Sequence, residues 1–139
     1  MQIRAFRESD EEQVVALWHA CGLTRPWNDP HKDIARKLKV NPELFLVGEQ
    51  DGRVIASAMA GYEGHRGWVN YLAVDPAHRR CGHGARLMRE VERLLEAAGC
   101  PKVNLQVRAG NGEVLAFYRA LGYAQDEVLA LGKRLIPDD

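Results

Sequence analysis

Residues 78–85 read HRRCGHGA: two arginines, then two glycines spaced two apart, with NYLAV just upstream and RLMREVERLLEAAG just downstream. The first flank has the composition of a strand and the second the periodicity of an amphipathic helix, so the glycines occupy a strand-to-helix loop. Gly82 and Gly84 let the backbone pass close to a ligand, because no Cβ stands in the way. The helix that follows aims its leading N–H groups and the positive end of its dipole at the same point. Pyrophosphate is the natural occupant of such a place. Read alone, the same residues describe equally well a plain turn that needs glycine.

Two other phosphate loops do not fit. A P-loop requires Gly-Lys-Ser/Thr, and His83-Gly84-Ala85 stands there instead. A dinucleotide fingerprint requires a third glycine three residues after the second, and position 87 is Leu.

The rest of the chain bounds what such a loop could serve. Its 139 residues fit one domain, 1–139, with 46% hydrophobic and 27% charged residues. Lys plus Arg and Asp plus Glu both number 19, so the chain lacks the basic excess of a general nucleic-acid or anionic-membrane binder. No apolar run approaches the ~20 residues a bilayer requires. The start, MQIRAFRESDEE, has no apolar signal core, which leads to a cytoplasmic expectation. Cys21, Cys81 and Cys100 form no CxxC pair, and the five histidines have no HExxH spacing, so neither a disulfide framework nor a metal is expected.

The elements that must hold the loop can be read in order. IRAFR is a short strand. A helix follows with Ser9 as N-cap, Glu12 at N3, and the stripe Val14, Leu17, Trp18 and Cys21, ending at Gly22. After the loop LTRPWND, Asp29 caps a second helix with Pro30 at its first position. LFLVGE and RVIASAMAGY form a hairpin around Asp51-Gly52, and GWVNYLAV adds a third strand. A helix from about 84 to 98 carries Leu87, Val91, Leu94 and Leu95 at helical spacing. KVNLQVR is another strand, EVLAFYRAL a short helix ending at Gly122, and YAQDEVLALGKRLI supplies one or two closing strands. This order predicts an α+β class: a mixed, mostly antiparallel central sheet with about four helices in a single layered domain.

Two motifs then agree. LAVDPAHRRCGHGARLM resembles the acetyl-CoA loop of the GNAT N-acetyltransferase family, with Val74, Pro76, Arg79, Gly82 and Gly84 at matching positions. NGEVLAFYRALGY resembles the family's second signature, through Asn111, Tyr118, Gly122 and Tyr123. RPWNDP, GYEGHRGW, GCPKVNLQV and LGKRLI are similar to the YpeA-like group of bacterial members.

The resemblance implies transfer of acetyl from acetyl-CoA to an amine, without metal. It implies that the backbone of Arg80, Cys81, Gly82, His83, Gly84 and Ala85 holds pyrophosphate, with Arg79 and Arg80 adding charge. Leu72, Ala73 and Val74 would pair with pantetheine as a peptide pairs with a sheet edge. A backbone N–H near Val74 would face the oxyanion. Tyr118 would protonate the departing thiolate, and Asn111 would bind the cofactor or cap its helix. Gln106 occupies a position where some members place a base, leaving Glu63, His65 and Glu49, with Glu63 the first choice. The acceptor would sit between Arg25, Trp27, Asn28 and Asp29 on one side and Tyr62, Glu63, His65 and Arg66 on the other. His83 departs from the aliphatic residue usual between the glycines: it is either exposed near phosphate or buried and in need of a partner. The family pattern also raises the expectation of a homodimer. The alternative function is a catalytically weak acyl-CoA-binding sensor or subunit.

Overall fold

Residues 1–139 are described by the structure, a computed structural model. β1 (Gln2–Ala5) leads through a 3-10 turn at Glu8–Asp10 into α1 (Glu11–Ala20), and α2 (Pro30–Lys37) follows. β2 (Phe45–Gln50), β3 (Arg53–Tyr62) and β4 (Gly67–Val74) form a meander, then come α3 (His83–Ala97), β5 (Val103–Leu105) and α4 (Gly112–Ala120). The five strands lie in the order β1-β2-β3-β4-β5. The first three pairings are antiparallel and β4–β5 is parallel, so the expected mixed, mostly antiparallel α+β sheet is present. No helix is long and apolar enough to cross a membrane. The chain divides into two compact units, Met1–Leu105 with Asp138–Asp139, and Gln106–Pro137.

Local chemistry explains most of the boundaries. Asp29 caps α2 by accepting from the backbone N–H of His31 at 2.9 Å and Lys32 at 3.4 Å, with Pro30 next in line. Asp51 and Gly52 both take positive φ, +53° and +77°, the pair a two-residue hairpin turn requires. In β2, Phe45 and Val47 join Phe6, Val14, Trp18, Ile34 and Met59 in one core cluster. Their neighbours point to the opposite face, as the two-residue period of a strand dictates. There Leu46, Ala56, Ala58 and Ala60 are buried, as is the α3 stripe of Leu87, Met88, Val91 and Leu95.

Three expectations are corrected. Ser9 is not the cap of the first helix: the 3-10 turn starts a residue earlier, and Asp10 accepts from the Arg7 N–H at 2.8 Å. The same carboxylate receives both terminal nitrogens of Arg4, at 2.8 and 2.9 Å, a fork-to-fork ion pair that a local reading of the turn cannot see. β5 is shorter than KVNLQVR, with only Val103–Leu105 paired. The closing strands are absent. Residues 124–139 contain no strand, and Val128, Leu129, Leu131, Leu135 and Ile136 are exposed. Alternating apolar residues make a strand only where a ladder partner takes up their backbone groups, and none pairs here.

Candidate active site

β4 is built in two halves. Gly67, Trp68 and Val69 pair with Val103, Asn104 and Leu105 of β5, and there the pairing stops. Asn70 to Val74 continue as strand with β3 on one side only, so no strand pairs with the backbone groups of their other edge. Leu72, Ala73 and Val74 lie on that edge. Within the same stretch the register with β3 shifts: Ser57 faces Ala73 and Met59 faces Asn70, leaving Tyr71 and Leu72 opposite Ala58 alone. This is a β-bulge, and Tyr71 takes φ +54° in it. A left-handed backbone costs a bulky residue roughly 1–2 kcal/mol, so the surroundings must hold it there.

They do so from several elements. The Tyr71 ring lies face to face on Trp18 of α1, with centroids 3.7 Å apart and planes 11° apart. The Tyr71 carbonyl accepts from the Ser57 hydroxyl at 2.8 Å, and that oxygen accepts from the buried Trp18 Nε1 at 2.9 Å. The Tyr71 hydroxyl donates to Asp33 Oδ2 at 2.7 Å and accepts from Asn28 Nδ2 at 3.1 Å. Asn28 also donates to Asp33, and Arg36 donates to its other oxygen at 3.1 Å. Burial and the Asp33 hydrogen bond push the Tyr71 phenol far above its usual range, so it stays a donor.

Past Val74 the chain turns through Pro76–His78 into the glycine loop. Arg80 and Gly82 take φ +64° and +77°, and Gly82 is the N-cap of α3. The Arg86 N–H is the first to reach back, to Gly82 O at 3.1 Å, so the N–H groups of His83, Gly84 and Ala85 lead the helix without intrahelical acceptors. Arg79 turns back to β4, its Nε 3.4 Å from Val74 O, an oxygen that also accepts from Cys21 Sγ at 3.3 Å. Arg80 and Cys81 are exposed. His83 takes the second of its two expected placements: its Nδ1 is buried without a hydrogen-bond partner, as is that of His78. Burial, then the N-terminal amine, Arg86 and His78, hold the His83 imidazole below its usual range and therefore neutral at pH 7.

The expected acceptor residues fall into two groups. In the α1–α2 loop, Arg25 is a loop organiser, its Nη1 2.8 Å from both Gly22 O and Thr24 O. Trp27 is exposed, and Asn28 joins the loop to Tyr71 and Asp33. In the hairpin, Glu63 Oε1 accepts from the backbone N–H of His65, at 3.0 Å, and of Arg66. That exposed carboxylate uses Oε1 to build its own turn. Glu49 is likewise engaged, by Arg4 Nε at 2.7 Å. Tyr62 donates toward Gly64 O at 3.2 Å and Gly99 O at 3.3 Å, which ties the hairpin to the turn after α3. The glycine loop begins α3 and the hairpin meets its end, so a 15-residue helix separates them, about 22 Å in length.

Within the second unit, Asn111 caps α4, accepting from the Val114 N–H at 3.3 Å. Tyr118 is buried, edge-on to Phe117 at 5.0 Å and to Tyr123 at 5.6 Å between centroids. Burial pushes its phenol up to about 12, so it is fully protonated at pH 7.

Sequence reasoning missed Tyr71, Asp33, Ser57 and the polar role of Trp18. The only signal was a tyrosine on the strand that leads into the glycine loop.

These features define a class: a sheet with a half-open central strand running into a helix-leading glycine loop. The model of the Acetyltransferase (GNAT) family matches residues 5–123, and the chain belongs to that family. An acetyltransferase of Sodalis glossinidius is 52% identical over 139 residues, covering 99% of this chain and 98% of that one. Among solved structures, Chaetomium thermophilum Naa20 in complex with a bisubstrate analogue aligns at TM-score 0.72 and 25% identity, over 89% of this chain and 71% of that one. AAC(6')-Iy in complex with the bisubstrate analogue CoA-S-monomethyl-acetylneamine aligns at TM-score 0.78 and 20% identity, over 96% and 98%, a likeness of fold.

Proposed function

We propose that the chain transfers the acetyl group of acetyl-CoA to a primary amine by direct attack on the thioester. The observation that carries this reading is the continuity of a strand edge with no strand beside it, Asn70–Val74, with the leading N–H groups of His83, Gly84 and Ala85, which have no intrahelical acceptor. Pantetheine is an extended chain with amides and suits the first, while pyrophosphate suits the second. The Naa20 and AAC(6')-Iy complexes, each with a bisubstrate analogue and the second with one built on CoA, support the use of acetyl-CoA. The family match runs through residues of both units, which supports treating 1–139 as one domain.

In this reading the amine nitrogen attacks the acetyl carbonyl carbon, and the oxyanion that forms is held by backbone N–H near Val74, a donor typically worth about 3 kcal/mol. The carbon–sulfur bond then breaks; by the family resemblance Tyr118 gives the thiolate its proton and is reprotonated by the one the attacking nitrogen sheds. Glu49 is held by Arg4 and position 106 is Gln, so Glu63, through its second oxygen, or His65 takes the amine's proton by way of water, and the amine attacks as free base. An alkyl amine of pKa ~10.4 is a minor fraction free base at pH 7, so turnover climbs with pH below that value. Tyr118, deprotonating only near 12, does not cut the climb short.

The experiment is a melting-temperature series with acetyl-CoA, CoA, NAD and ATP, followed by thiol release across a panel of primary amines. A ligand at ~100 times its Kd adds about 2.7 kcal/mol to native stability and moves the curve visibly. Tyr118→Phe then loses about a hundredfold in turnover with CoA affinity kept. No shift with acetyl-CoA or CoA sinks the reading. The engaged carboxylates favour one second reading, an acyl-CoA sensor, which predicts the melting shift but no thiol release and no effect of Tyr118→Phe.

A further inference from the structure

Tyr71 is the only residue inside a strand with left-handed backbone; the other non-glycine cases, Asn41, Asp51 and Arg80, lie in turns and loops. Its own side chain and carbonyl bring it to α1 through Trp18, to β3 through Ser57, to the α1–α2 loop through Asn28 and to α2 through Asp33. Asp33 accepts from Tyr71, Asn28 and Arg36 together, which ties both of its oxygens into the network as an anchor. The Tyr71 carbonyl is taken by Ser57, which turns the next peptide, at Leu72, relative to the flat ladder.

We propose that Tyr71 is a positioning residue for acetyl transfer: its ring and carbonyl fix the Leu72–Val74 backbone at the angle from which its N–H groups meet the thioester, and its hydroxyl ties that backbone to the loop bearing Trp27 and Asn28. The inference rests on the acetyl-transfer reading above. It explains why a strained residue is surrounded by so many partners at the one place where β4 leaves β5. It also makes the α1–α2 loop responsive to occupancy of the strand edge, because a shift of the bulge moves the hydroxyl that Asn28 holds.

The test is Tyr71→Phe, which keeps the ring stacked and removes the hydroxyl. Acetyl-CoA affinity is read by calorimetry, kcat and KM with the best amine of the panel, and amide exchange over 24–29, 70–74 and 82–85 with and without acetyl-CoA. The expected result is affinity within about threefold, kcat lower by about tenfold or more, and loss of the protection that acetyl-CoA confers on 24–29 in the wild type. Protection of 82–85 is retained. Should Tyr71→Phe not fold, Asn28→Ala is read for the same loss at 24–29. Wild-type kcat together with wild-type protection of 24–29 in the variant overturns the positioning role and leaves acetyl transfer standing. If the wild type shows neither binding heat nor protection at 82–85, the acetyl-CoA reading fails, and the positioning role fails with it.

Discussion

The α1–α2 loop and the β3–β4 hairpin carry similar side chains: an aromatic, an arginine, an acid and a second polar group. In the hairpin the side-chain bonds close mostly locally, Glu63 to the backbone of 65 and 66, Arg66 to His65 O and Tyr62 to Gly64 O, with a single reach to Gly99. In the loop, Arg25 also closes locally, but Asn28 reaches 43 residues along the chain to Tyr71. A loop satisfied by its own backbone can change without consequence for the strands it joins. One that shares a hydrogen bond with a strained strand residue cannot. The difference lies in the partners and not in the residue types.

That contrast can be broken at its foundation. Trp18→Ala removes the buried ring under Tyr71 and the donor to Ser57, and it costs about 3–5 kcal/mol, a fall of about 10 °C or more in Tm by calorimetry. A smaller effect follows from Asn28→Ala, which cuts the loop from the phenol and from Asp33. About 1–2 kcal/mol is lost in urea unfolding, and turnover falls with it. The smallest belongs to the hairpin: Glu63→Gln keeps an acceptor oxygen for the turn, costs less than about 1 kcal/mol and leaves turnover within about twofold. A tenfold loss of kcat in that last variant would single out Glu63, over His65, as the base and erase the distinction between the two segments.

Much of the scaffold was legible because its causes are local. Asp29-Pro30 announces a helix start, Asp51-Gly52 a hairpin, and the spacing of Leu87, Val91 and Leu95 a buried helix face. Ser9 failed as a cap because Asp10 answers to Arg4, whose ion pair belongs to the tertiary structure. The closing strands failed because alternation in 124–136 specifies a strand only where an edge receives it. At the site, the glycine loop could be read from glycine and helix periodicity alone. The bulge could not: no sequence signal marks a tyrosine for left-handed backbone, and Ser57 and Asp33 gain meaning only once the fold sets them against it.

The half-open strand has a consequence for the protein in the absence of ligand. A row of free N–H and C=O groups is a template on which a strand from a second copy can form, the first step of edge-to-edge aggregation. Here the row without a strand partner is only Asn70–Val74, the Tyr71 and Val74 carbonyls are taken by side chains, and the kink at Tyr71 breaks its flatness, so a neighbouring chain finds no continuous register to extend. The same distortion that, in the proposed reading, prepares the edge for pantetheine thus refuses a neighbouring strand.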